Sequence, residues 1–372
     1  MAADVLSLGA LNRATLERQL LLRRSTMPVL DAVEHLVGVQ AQLPLNPYLG
    51  LWSRLEGFRP GELAQLLLDR HVVRTVVMRA TLHLVSAADC LVLRPLAQPV
   101  LDRELARHRD HGPAVRDVDL NAVLAFARPL LAERPRTGAE LRAAMEEAFP
   151  DDDPAALAHV CRNRLALVQV PPRGVWGHSG QVASTTAESW LGQPLATHPS
   201  IDDAVLRYLA AFGPATVADV ARWSGLTGLG EVVDRLRPRL RTFRDERGRE
   251  LVDLPDAPRP DPDTPAPPRF LPEYDNVLLS HADRARLVAD RHRRRILADA
   301  RGAQGSVLHD GSLRGTWSIK CDRTAARATL VVNHTGRLTR PATEALTDEG
   351  RQLLRFLAAD ADAHDVRFVA LD

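Results

Sequence analysis

"SIDDAVLRYLAAFGPATVADVARWSGLTGLGEVVDRLRPRLRTFRDERGRELVDL", residues Ser200–Leu254, is the stretch whose reading decides the fold. It opens with an amphipathic helical run, IDDAVLRYLAAFG, and continues with TVADVARWSGL and GLGEVVDRLRPRL. Thr216 and Asp219 stand three apart as a capping box with Asp in the place of Glu, and Gly225 suits a tight turn between helices. Two short alternating segments, RTF and ELVDL, flank the turn DERGR. Three helices followed by a two-stranded hairpin describe a winged helix.

The same order recurs upstream. LNAVLAFARPLLAE, TGAELRAAMEEAF with Thr137 and Glu140 as its capping box, and PAALAHVCRNRLALV precede VQV and GVWGH as a wing. A more degenerate copy occupies the first hundred residues: RATLERQLLLRR, VLDAVEHLVGVQ, PGELAQLLLDR and the strand-like VVRTVVMRATLHLVS. Beyond them, eight of the eighteen residues from Pro255 to Pro272 are proline, which suits an extended connector and forbids helix. The tail, GSVLHDGSLRGTWSIK and RATLVVNHTGRL, alternates as strands around turns and closes with the helix TDEGRQLLRFLAADA. The expected architecture is mainly α with β (α+β). Winged helices occupy 1–112, 113–198 and 199–257, and a Pro-rich connector with a small C-terminal β-barrel occupies 258–372.

Composition bounds the function. With 372 residues, 45% of them hydrophobic, the chain can build several cores, and no run reaches the roughly 18 apolar residues of a membrane span. The N-terminus lacks a secretory pattern, so a cytoplasmic location is expected. Cys90, Cys161 and Cys321 have no CxxC spacing, and His108 with His111 in HRDH has no third ligand nearby in sequence, so no metal and no cofactor are expected. A net charge of +1 does not announce a nucleic-acid binder, but DRARLVADRHRRRILADAR concentrates Arg291, Arg293, Arg294 and Arg295 in one stretch. Charge runs are also common on solvated helix faces.

Tandem winged helices suggest DNA, yet the helices that would read bases are acidic. Asp151, Asp152 and Asp153 precede one, and Glu231 and Asp234 lie within another. The array therefore reads as a scaffold that holds duplex DNA through shape and backbone contacts. The other conspicuous stretch is LVGVQAQLPLNPYLGLW, residues 36–52, which places Gln40 and Gln42 one residue apart. By its residues alone this is a polar helix end whose amides cap carbonyls. On a continuous helix the two would face nearly opposite ways, and they share a side only if the chain opens there; Pro44, which biases Leu43 towards extended geometry, favours that.

VGVQAQ, RATLHLVS, FLPEYDNVLLSHADR and GSVLHDGSLRGTW, in this order along nearly the whole chain, resemble the AlkZ/YcaQ group of bacterial DNA glycosylases. The Q-x-Q form resembles the AlkZ branch, which is associated with self-resistance to the crosslinker azinomycin B. The resemblance implies a C-shaped array of three winged helices and a β-barrel around DNA. It also implies excision of N7-alkylated purines, unhooking of interstrand crosslinks, and catalysis by Gln40 and Gln42.

The chemistry fits those residue types. A normal purine needs an acid to leave, whereas an N7-alkylpurine is already cationic and needs only stabilisation of positive charge on the sugar and a placed water. A glutamine carbonyl can supply both, although it cannot remove a proton. Asn46 and Tyr48, just past the pair, are candidates to line the lesion pocket or to pack a loop. His83 faces either a polar cleft or a core, and Asp275 and Asn276 either bond DNA or form an Asx turn. Lys320 is the only lysine, so a lyase step through a Schiff base has little to use and a monofunctional enzyme is expected. The expected partner is alkylated or crosslinked duplex DNA, bound by a monomer. A non-catalytic regulator and a drug-sequestering resistance protein are the rival classes.

Overall fold

The computed structural model describes residues 4–300, 304–322, 324 and 326–371, apart from the side chains of residues 290, 291, 297 and 298. The stretch quoted first folds as read. Helices Ile201–Phe212, Val217–Ser224 and Leu229–Leu236 lead into strands Arg241–Asp245 and Glu250–Asp253. The capping box is formed: the Thr216 hydroxyl accepts from the Asp219 N–H, and the Asp219 carboxylate accepts from the Thr216 N–H. Gly225 ends the second helix at φ 80°, a left-handed conformation that glycine adopts without strain.

The first two units repeat one topology, with a short strand after the first helix and a hairpin after the third; in the third unit an isolated bridge between Ala215 and Val252 stands in the short strand's place. In the second unit the order is helix Leu120–Glu133, strand Arg136–Thr137, helices Gly138–Ala148 and Pro154–Arg164, then strands Leu167–Gln169 and Ala183–Thr186. The last of these strands lies between the other two. Its wing therefore returns at 183–186 and not at GVWGH; that segment is an irregular loop whose Gly174 and Gly177 take positive φ. In the first unit the helices are Val29–His35, Asn46–Trp52 and Pro60–Leu68, and the strands Val39–Gln40, Val72–Val76 and Leu82–Ser86. NPYLGLW is thus a helix that the sequence reading left out, with Pro47 near its start, where a missing N–H costs nothing. The helix Leu8–Arg18, expected to open the first unit, instead packs on the third, where Arg18 forms a bidentate ion pair with the fully buried Asp253.

Pairing of Arg74 with Gln169 and Thr75 with Val168 joins the first and second units into one six-stranded sheet. The C-terminal unit is a five-stranded sheet, Arg269–Pro272, Gly305–His309, Ser312–Asp322, Arg327–His334 and Ala363–Ala370, flanked by helix Arg340–Leu357. Among the described residues its outer strands show no pairing with each other. Two expectations are corrected here: the connector yields to a strand at Arg269, and the chain closes on the strand Ala363–Ala370, parallel to its neighbour, after the last helix. No helix among the described residues is long and apolar enough to cross a membrane.

Two buried apolar clusters meet beside the glutamine segment. One runs from Val33, Val39, Ala41 and Tyr48 into Phe270, Trp317 and Leu346 of the C-terminal unit. The other joins Val37, Val77 and Met78 to Tyr208, Phe212 and Trp223 of the third unit. Residues 37–41 thus lie between two cores, which fixes their path.

Candidate active site

The segment bearing the two glutamines is not a helix end. The preceding helix stops at His35, the chain reverses through Val37 at φ 54° and Gly38 at φ 87°, and a strand begins at Val39. A Cβ on Gly38 would lie 2.7 Å from Val85 Cγ1, so this turn requires glycine. The Val39–Gln40 strand then pairs antiparallel with the Leu82–Ser86 strand, placing Gln40 opposite His83. Gln42 lies in the bend that follows, exposed, beside the exposed side chains of Leu43 and Leu45. The strand ends at Gln40, so Gln40 is buried against the hairpin while Gln42 faces outward from the bend.

Bonds from four directions hold the segment. The Ala41 N–H donates to Leu82 O at 2.9 Å, and Arg74 Nη2 donates to Ala41 O at 2.8 Å. Asn276 Nδ2 donates to Gly38 O at 2.7 Å, tying the segment to the C-terminal unit. Gln40 is 4% exposed, and its Oε1 accepts from Arg79 Nη2 at 3.2 Å. Because guanidinium has only donors, this bond fixes which way the amide faces.

Arg79 organises the rest of the site, and the sequence reading did not single it out. It sits at the tip of the hairpin between Val76 and Leu82 with φ 56°, followed by Ala80 at φ 55°. Two consecutive left-handed residues that are not glycine represent stored strain, a feature that collects at working sites. Its Nη1 donates to Trp223 O at 2.7 Å, and its Nη2 also faces His83 Nε2 at 3.3 Å. His83 is fully buried, with Nδ1 2.9 Å from Thr81 O. That carbonyl requires the proton on Nδ1, leaving Nε2 to accept from Arg79. Burial, with Arg79 beside it, pushes His83 down to about 3, so the imidazole is neutral.

The charge around the segment is one-sided. Burial lowers Arg79 to about 10, and the Arg222 and Arg284 guanidiniums add to the shift. Burial likewise lowers Arg74 to about 10. Arg284 is half-buried, and its neighbours Arg222 and Arg293 are exposed. None of these five arginines forms an ion pair with a carboxylate among the described residues. A guanidinium as buried as that of Arg74 is costly without counter-charge.

The remaining candidates fall into two groups. Asn46, Tyr48, Asp275 and Asn276 are buried and hydrogen-bonded within the framework, the packing alternative for the first two; the Asp275 carboxylate also accepts from the Val277 N–H, the Asx-turn alternative. Asn46 Nδ2 donates to Glu273 O at 2.6 Å. The Tyr48 hydroxyl donates to Gly174 O and accepts from the Trp176 N–H. Both carboxylate oxygens of Asp275 bind Arg54, at 2.8 and 2.9 Å, in a pair whose side chains are each 2% exposed. Arg293, Arg294 and Arg295 are exposed on the helix Asp290–Asp299; Arg291's side chain lies outside the described residues. Arg293 and Arg284 rim a largely apolar cavity of about 400 Å³ that also reaches Tyr274 and Leu278. The helix Leu229–Leu236 spends its charges internally, Arg235 on Asp202 and Asp234 on Arg237, while Asp153 caps the helix that follows it. Away from this segment, His108 and His111 do have a third imidazole beside them, His159, contrary to the sequence expectation.

Three comparisons bear on this geometry. A family model described as DNA glycosylase AlkZ-like matches residues 33–356. An interstrand DNA cross-link repair glycosylase of Streptomyces sahachiroi is 26% identical over 332 residues, covering 82% of this chain and 85% of that protein. The solved structure of Streptomyces sahachiroi DNA glycosylase AlkZ superposes with a TM-score of 0.78 at 22% identity, covering 98% of this chain and 100% of the other.

Proposed function

The chain belongs to the AlkZ-like DNA glycosylase family, and from that premise we propose that it hydrolyses the N-glycosidic bond of cationic N7-alkylpurines, including those that tether the two strands of a crosslinked duplex. The observation that carries the reading is the constellation at Gln40: a neutral amide oriented by an unpaired arginine, beside a histidine held neutral. Among the described residues no carboxylate is hydrogen-bonded or ion-paired to this group to act as general acid or base. Such a site suits a substrate whose leaving group is already activated by its own positive charge.

In this mechanism the base departs and its ring charge is neutralised by the electrons of the breaking C–N bond. Positive charge then grows on the sugar. Gln40 Oε1 has two lone pairs, of which Arg79 takes one; the other is offered to the attacking water, whose proton passes to solvent once its bond to the sugar has formed, or to the sugar. Gln42, at the exposed bend, supplies the second amide from the solvent side, and Leu43 and Leu45 offer apolar surface to a displaced base. Arg79, Arg222, Arg284 and Arg293 take backbone phosphates, which supply the missing counter-charge. Those phosphates also offset the repulsion that Arg79 would otherwise exert on a cationic sugar.

The name of the cross-link repair relative supports crosslinks as substrates. Lys320 lies exposed on the strand Ser312–Asp322 of the C-terminal unit, so the reaction is proposed to stop at the abasic site without strand cleavage. The decisive experiment incubates the protein with a duplex carrying N7-methylguanine or a nitrogen-mustard crosslink and measures released base and alkali-labile sites. Release is expected, with no adduct trapped by borohydride. Loss of either amide, Gln40→Ala or Gln42→Ala, should lower the rate by about 10²–10³, the magnitude typical of removing one stabilising dipole. Absence of release from both substrates would remove the reading.

A further inference from the structure

We propose that His108, His111 and His159 bind a divalent first-row transition-metal ion, at a place separate from the glycosylase residues. The three ligating nitrogens lie within 4.8 Å of one another. They come from three places in the chain: His108 in the turn after the helix Gln98–Arg107, His111 at the start of the next short helix, and His159 on the helix Pro154–Arg164. The ring centroids are 4.4, 4.6 and 4.8 Å apart.

Their hydrogen bonds form the support that such a site needs. Glu104 Oε2 lies 3.0 Å from His159 Nε2 and accepts from Asn163 Nδ2 at 2.9 Å. A carboxylate beside a ligating histidine is the usual outer partner of a metal-bound imidazole, or itself a fourth ligand. His111 Nδ1 is buried and has no hydrogen-bond partner, a cost that a bound cation would relieve.

Imidazole nitrogens suit zinc, nickel or copper, and not magnesium or calcium, which prefer oxygen. A tetrahedral ion at about 2.0–2.1 Å from each nitrogen requires them roughly 3.3 Å apart. The His108 and His111 side chains are half-buried, so small rotations of those rings can close that gap. Ligation by His108 through Nε2 moves its proton to Nδ1, at the expense of the 3.2 Å bond that Nδ1 accepts from the His111 N–H. The ion would clip the helix Gln98–Arg107 to Pro154–Arg164, where the first and second units meet.

The test titrates chelator-treated full-length protein with zinc chloride by calorimetry and repeats the titration with cobalt(II), whose visible absorption reports ligand geometry. One ion per chain is expected, binding at micromolar concentration or tighter. His111→Ala and His159→Ala should each weaken it at least about tenfold, and Glu104→Gln about tenfold as an outer partner. His178→Ala, an exposed histidine elsewhere, should bind as the parent does. Circular dichroism without metal must match among the variants, and base release provides a separate readout that none of the changes should lower. No binding by the parent protein, or equal binding by the parent, His111→Ala and His159→Ala, would overturn the proposal.

Discussion

In the proposed mechanism Gln40 and Arg79 act through the direction of a single bond. A guanidinium can only donate, so the amide oxygen faces Arg79 and the amide nitrogen turns away. Arg79→Ala should therefore harm catalysis twice, by freeing Gln40 and by removing a phosphate partner; both kcat and the Kd for DNA should worsen, whereas Gln40→Ala should act mainly on kcat. The rate of base release should be flat with pH across the neutral range. Its bounds are His83, which takes a proton only near 3, and Arg79, which loses one only near 10. A bell-shaped profile centred near neutrality would point to a general acid or base outside this group. At Asp275 the expected effect is on stability. Asp275→Ala leaves Arg54 buried without its partner and should cost about 3–5 kcal/mol in denaturant unfolding, while Tyr274→Ala, at an exposed side chain, should cost little.

Elements rather than residues explain why the glutamines stand where they do. The turn at Val37 and Gly38 sends the chain into a strand, and Asn276 holds the Gly38 carbonyl from the far end of the sequence. Gly38→Ala should displace the strand from Leu82–Ser86. The expected outcome is a loss of base release comparable with Gln40→Ala, together with exchange broadening of the Gln40 and His83 amides in a heteronuclear spectrum. The capping boxes at Thr137 and Thr216 and the helices they begin were legible in sequence, because those signals are local. The helix Asn46–Trp52 was not, since two prolines, Pro44 and Pro47, lie in and before it and its buried face serves the C-terminal sheet. Arg79 was invisible for a related reason. Nothing in RATLHL reveals that, among the described residues, no carboxylate forms an ion pair with it.

At the scale of the whole molecule, two fully buried histidines contribute to the response to acid. His83 is depressed to about 3, and His281 is driven down by burial beside Arg286. A histidine whose folded value lies below its ordinary 6.5 is neutral in both states at high pH. Below 6.5 the unfolded chain gains the proton and the folded one does not, so stability falls as pH drops from 6.5 towards 3. Each histidine contributes up to about 1.4 kcal/mol per pH unit in that window. Denaturant midpoints measured from pH 7 to pH 4 should decline accordingly, and His281→Gln should decline less steeply. For DNA, Arg284→Ala and Arg293→Ala should each lower the slope of log affinity against log salt by about 1 if each arginine meets one phosphate.

The strand Val72–Val76 pairs on one side with Leu82–Ser86 and on the other with Leu167–Gln169. It bridges two units and also carries Arg74 to the carbonyl of Ala41. A hinge between the first and second units would have to shear that ladder and would drag the glutamine segment with it. Mechanically the pair of units is one plate, so under the proposed function the compliance falls to the duplex, and a lesion that softens or unstacks DNA should yield to this surface more readily than intact helix.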